Sequence, residues 1–244
     1  MASNISIFLK FSDGTFGSLR STVTESSSAF GEYSEITTEG GDLNQTAGVS
    51  VGQAFPGKVC THAFAKCATD NATTACFVGA YFEATDGSIM VPIQGGGQHQ
   101  TGMPKLKKPV RMATGIVAKA ALQDAADAVQ IATLAVYCAS GKADFFAALA
   151  VDDTPTAMVN PQGKTVGQSL DGQTIVCAIP TYAANNGLDD NDGGVNAFYI
   201  ESSAGVLKGM YPSCKGNSGD GPVPYVEYPV RIVQNDTLTV TASL

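Results

Sequence analysis

Apolar and polar residues alternate along most of this chain. In "ISIFLKF", Ile5, Ile7, Leu9 and Phe11 fall on one face, the period of two that marks a half-buried strand. "SDGTFG" follows as a turn. "CFVGAYFEATDGSIMVPI" predicts a strand from Cys76 to Glu83, a turn at Asp86-Gly87 and a second strand through Ile93, a hairpin by its Asp-Gly pair. "AVQIATLAVYCASGKADFFAALAV" repeats that form, with a strand to Cys138, a turn at Ser140-Gly141 and a strand through Phe145 and Phe146. "QTIVCAIP", "VNAFYIES" and "GVLKGMYP" add further short strands. The closing "PVRIVQNDTLTVTASL" reads as two strands joined at "QND", a hairpin whose apolar face needs a facing sheet.

One segment competes with this pattern. "GIVAKAALQDAADAVQ" is rich in Ala, a strong helix former, and predicts either a short helix over about 119–128 or a continuation of the strands. The fold class expected is therefore mainly β: an antiparallel sandwich, jelly-roll-like, with at most one short helix. Its loops are long and rich in Gly and Asn, at 94–109, 183–194 and 214–224. No repeat of fixed period is visible. The expectation is a single domain over 1–244, and any break would fall near 94–109.

Composition changes the picture in one respect. Only 15% of residues are charged, against roughly 25% in ordinary globular chains. From Thr154 to Leu188 the only charges are Lys164 and Asp171. A neutral polar surface costs less to desolvate than a charged one and suits faces covered by neighbours, or a lectin-like exterior. The net charge of -8 argues against general nucleic-acid binding, which needs Lys and Arg on phosphates. The exception is "KLKKPVR", with Lys105, Lys107, Lys108 and Arg111, read as a solvated loop, a subunit contact or an anion contact. No apolar run is long enough to span a bilayer, and the opening "MASNISIFLKFSDG" lacks the charged and apolar regions of a secretory leader. Six cysteines permit three disulfides, but buried free thiols are the expectation for a chain without such a leader.

Candidate chemistry is sparse. "GVSVG" places Ser50 in a GxSxG pattern, which acts as a nucleophile elbow only on a strand-to-helix turn with Asp or Glu and then His later in the chain. Asp70 or Asp86 followed by His99 has the required order, but Pro56 and Gly57 interrupt a helix after Ser50. "CTHAFAKC" groups Cys60, His62 and Cys67, with Cys76 beyond. In a regular strand Cys60 and His62 would share a face, yet the spacings match no common zinc module, so core thiols with a surface His is the competing reading. "LDDNDGG" offers Asp189, Asp190, Asn191 and Asp192 as calcium candidates. It departs from an EF-hand where Gly193 stands in place of an oxygen ligand, leaving an irregular calcium site or a solvated turn. Four Asn-x-Ser/Thr sequons, at Asn4, Asn44, Asn71 and Asn235, matter only in a glycosylating host. There is no Trp for sugar stacking, and no P-loop or dinucleotide fingerprint. The expectation is that the chain is not an enzyme.

The many short strands, the Gly/Asn loops, the "MASN" start and the closing "YPVRIVQNDTLTVTASL" together resemble virus and phage structural proteins of the jelly-roll type. That resemblance implies a virion coat or decoration subunit in a symmetric homo-oligomer, a trimer or larger, alongside other virion proteins. It departs from many coat proteins in lacking a basic arm. The alternative is a carbohydrate- or receptor-binding β-sandwich acting through "AANNGLDDNDGG", with or without calcium.

Overall fold

The computed structural model describes residues 2–24, 33–39, 46–67, 75–95, 103–124, 131–149, 154–183, 194–212 and 229–243. The sandwich expected from the alternating pattern is present, and it occurs twice. In residues 2–124 the strands are β1 (Ala2–Phe11), β2 (Phe16–Thr24), β3 (Ser34–Ile36), β4 (Val59–Cys67), β5 (Ala75–Glu83), β6 (Ile89–Gly95), β7 (Lys105–Arg111) and β8 (Val117–Asp124), with helix α1 (Val51–Ala54) between β3 and β4. Residues 131–243 repeat that succession: β9 (Ile131–Cys138), β10 (Ala143–Leu149), β11 (Thr156–Ala157), α2 (Val166–Leu170), β12 (Thr174–Ala183), β13 (Gly194–Glu201), β14 (Leu207–Pro212), β15 (Val230–Arg231) and β16 (Thr237–Ser243).

The pairing repeats as well. In the first half, β2-β1-β4-β7 form one antiparallel sheet and β6-β5-β8-β3 the other, and two parallel residue pairs also link β4 to β6. In the second half the orders are β10-β9-β12-β15 and β14-β13-β16-β11. In each group of four strands the fourth returns beside the first, a Greek-key return, and the third crosses to the facing sheet. Each half has its own core. Ile5, Ile7, Leu9, Phe11, Phe82 and Val110 belong to the first, and Leu134, Val136, Phe146, Phe198, Ile200 and Val240 to the second. Residues 94–109, expected as a loop and as the place of any break, lie inside the first half: 94–95 end β6 and 105–109 belong to β7, and the two halves are separated in sequence at 125–130.

The four hairpins share one turn. In Phe11–Thr15, Ala84–Ser88, Cys138–Lys142 and Ser202–Val206, the first residue's N–H donates to the last residue's carbonyl, and the fourth residue's N–H donates back to the first carbonyl. The fourth residue is Gly14, Gly87, Gly141 or Gly205, with φ between +73° and +87°, a left-handed conformation that Gly adopts without penalty. Asp13 and Asp86 reinforce two of these turns, each accepting from the backbone and hydroxyl two residues on.

Two expectations need correction. Residues 119–124 are strand, not helix: β8 is paired on both sides, with β5 and β3, and Ala118 and Ala120 alternate into the core. Small side chains packed between two sheets outweigh the helix preference of Ala. The closing "PVRIVQNDTLTVTASL" is not a hairpin. β15 pairs with β12 and β16 with β13 and β11, so the turn at Val233–Asp236 carries the chain from one sheet to the other.

Helices α1 and α2 are short, and each sits against the crossing turn of its own half, Ala113–Ile116 for α1 and Val233–Asp236 for α2. Gly52 and Gly167 make the approach possible: a Cβ on Gly52 would lie 1.9 Å from the Ala113 carbonyl oxygen, and one on Gly167 would lie 2.4 Å from that of Gln234. Their N–H groups donate to the carbonyls of Ile116 and Asp236.

Candidate interaction surface

Among the described residues, those singled out for catalysis or metal binding are not brought together. Ser50 is the buried N-terminal cap residue of α1, and its hydroxyl makes no capping bond. Gly48 takes a positive φ and Gly52 packs under the crossing turn, so this GxSxG serves the backbone. Asp86 is committed to its hairpin turn, where the Ser88 donors hold its carboxyl below the usual range. Asp70 and His99 lie outside the described residues, as do Asp189, Asp190, Asn191 and Asp192, and with them the calcium expectation.

Cys60 and His62 do not share a face. The register shifts between them, and this bulge turns Cys60 into the core and His62 outward. Burial pushes the Cys60 thiol up to about 12, so it stays protonated, and its Sγ–H donates to the His62 carbonyl. His62 is held below its ordinary value by desolvation, then by Lys10 and Lys105. Among the described residues no three His, Cys, Asp or Glu side chains group as metal ligands. The thiols of Cys60, Cys138 and Cys177 are free, and the side chains of Cys67, Cys76 and Cys214 lie outside the description. Among the described residues no helix is long and apolar enough to cross a membrane.

What the strands do assemble is a surface. On the outward face of β2-β1-β4-β7, cross-strand pairing sets Phe16, Lys10, His62 and Lys105 in one row, Ser18, Phe8 and Phe64 in the next, and Arg20, Ser6 and Lys66 in a third. Phe8 is 41% exposed and Phe16 62%, and the Lys10 ammonium sits 5.9 Å from the Phe16 ring centre. The sequence pattern had marked the inward residues of β1; this outward row needs the pairing register, which the sequence does not state. The basic cluster of β7 is the margin of this face, with Lys105, Lys107, Lys108 and Arg111 exposed.

The same face of the second half is covered. β6 lies along β10 and β5 along β9. Tyr81 and Ile89 of the first half pack with Ala135, Phe145 and Ala147 of the second. Tyr33 joins them, its ring 5.0 Å from Tyr81 and edge-on to Phe145 at 6.3 Å. The outer face of one sandwich is thus a docking surface for the hairpin β5–β6 of the other. Comparison with protein-family models, curated proteins and solved structures finds no match to this chain.

Proposed function

We propose that this chain is a structural subunit of a virus or phage particle, a coat or decoration protein that self-assembles through its β surfaces. The observation that carries the reading is the pair of exposed apolar groups on paired strands, one in each half: Phe8 and Phe16 on β1–β2, and Val206, Leu207 and Met210 at the start of β14. Scattered exposed apolar residues are ordinary, but clusters on rigid sheets mark interaction sites. The low charge supports the same reading, since charge is depleted at interface cores. Each half also has eight described strands in two sheets with two Greek-key returns, an arrangement that supports a jelly-roll-like reading.

Electron microscopy and light scattering of the purified protein test this. Regular oligomers or particles are expected. A monomer at the highest soluble concentration overturns the reading.

A further inference from the structure

We infer that the contact between the two halves is also the contact between copies: the β13–β14 hairpin of one molecule docks on the β1–β2 face of the next, head to tail. This rests on the self-assembly reading and names its surfaces. The pairs Glu83–Ile89 and Tyr81–Pro92 of β5–β6 recur in register as Glu201–Leu207 and Tyr199–Met210 of β13–β14. In the first half Tyr81 and Ile89 are buried against β9 and β10. Their equivalents face outward, and Leu207 is 53% exposed.

The receiving side is equivalent too. Ala143–Tyr137, Phe145–Ala135 and Ala147–Thr133 on β10–β9 correspond to Phe16–Lys10, Ser18–Phe8 and Arg20–Ser6 on β2–β1. The first two pairs in each half contain one aromatic ring, carried on opposite strands in the two halves. Phe145 beside Ala135 becomes Ser18 beside Phe8, and Tyr137 beside Ala143 becomes Lys10 beside Phe16. Each of these cross-strand positions therefore keeps one ring.

Charge fits as well. Lys10, Lys66 and Lys105 lie on the receiving face, with Arg20 there already paired to Glu39, and Glu201 sits in the docking hairpin beside Leu207. Since the two surfaces differ, the interface is heterologous, and its repetition yields a ring or an open filament rather than an isolated two-fold dimer.

Two variants used alone and mixed test this, Phe8→Glu for the receiving face and Leu207→Glu for the docking hairpin, each at an exposed position. The wild-type protein is expected to assemble. Each variant alone should be monomeric, with self-association weakened by at least about tenfold. Mixed, they should form 1:1 pairs that grow no further, because one intact face of each kind remains.

Circular dichroism verifies folding. If either variant is misfolded, Glu201→Lys replaces it, with weaker association and a loss of salt sensitivity expected. A monomeric wild type overturns the self-assembly reading itself. A wild type that assembles, together with variants that assemble equally well, overturns only the assignment of faces. Leu207→Glu forming dimers alone would mean head-to-head contact and would also overturn it.

Discussion

The two halves share their strand succession and pairing but solve the same packing problem with different chemistry. Where β2 passes under α1, the first half uses Gly17, whose missing Cβ is replaced by the Phe55 ring, with Ala54 alongside. At the equivalent place the second half has Asp144, which accepts from the Phe145 N–H, the Asn160 amide and the Ser169 hydroxyl. At the crossing turn the first half has Ile116, with Met90 on the neighbouring hairpin. The second half has Asp236 there, ion-paired to Lys208 and accepting from the Val233 N–H. Two apolar contacts have become two hydrogen-bonded networks with no change in topology. Sheet order is therefore set by turns and periodicity, and the residues at these junctions are free to vary in pairs.

The largest effect is expected where both halves agree. Gly52→Ala and Gly167→Ala each force a Cβ into a backbone carbonyl, at a cost of about 3 kcal/mol apiece, read from denaturant unfolding. Asp236→Ala removes a fully buried carboxylate from its lysine. With Lys208 partly exposed, a loss of about 2–3 kcal/mol is expected. Importing the first half's solution as Asp236→Ile with Lys208→Met should recover most of that loss, and a double variant as unstable as Asp236→Ala would refute the equivalence.

The helix caps differ next. Thr165 caps α2 through a reciprocal box with Gln168, so Thr165→Ala should cost about 1 kcal/mol. Ser50→Ala removes no capping bond and should change stability by less than about 0.5 kcal/mol.

The smallest effect is a pH dependence. Burial raises the Asp144 carboxyl above its ordinary 3.8, against the pull of its donors and Lys142. A raised carboxyl binds its proton more tightly in the folded state, so its contribution is full below 3.8 and is lost as pH rises through the folded value. Relative to Asp144→Asn, the wild type should gain stability as pH falls toward the carboxylate range. A difference that does not vary with pH would show that folding does not raise the Asp144 carboxyl.

Much of the architecture was legible in the sequence, and the reasons differ by region. The hairpins at Asp86-Gly87 and Ser140-Gly141 were readable because a left-handed Gly between alternating strands is a local signal. The terminal segment misled because β15 and β16 alternate like a hairpin while their turn crosses between sheets, and only pairing reveals a crossing. The duplication was hidden for a related reason. "PVR" recurs at 109–111 and 229–231 and "VGQ" at 51–53 and 166–168, but the intervening loops differ in length, so no fixed period emerges. The two glycines of the pattern around Ser50 have backbone roles that the sequence does not state. The interaction surface was least legible, because Phe8, Phe16 and Leu207 occupy outward positions that alternation assigns to solvent.

The central claim, that the face buried between the halves is reused between molecules, is tested most directly by hydrogen exchange of the wild-type protein at low and high concentration. Added protection at high concentration is expected in β1–β2 and β13–β14, with β5–β6 and β9–β10 protected at both. Protection that is independent of concentration, or that is gained elsewhere in the chain, would contradict it.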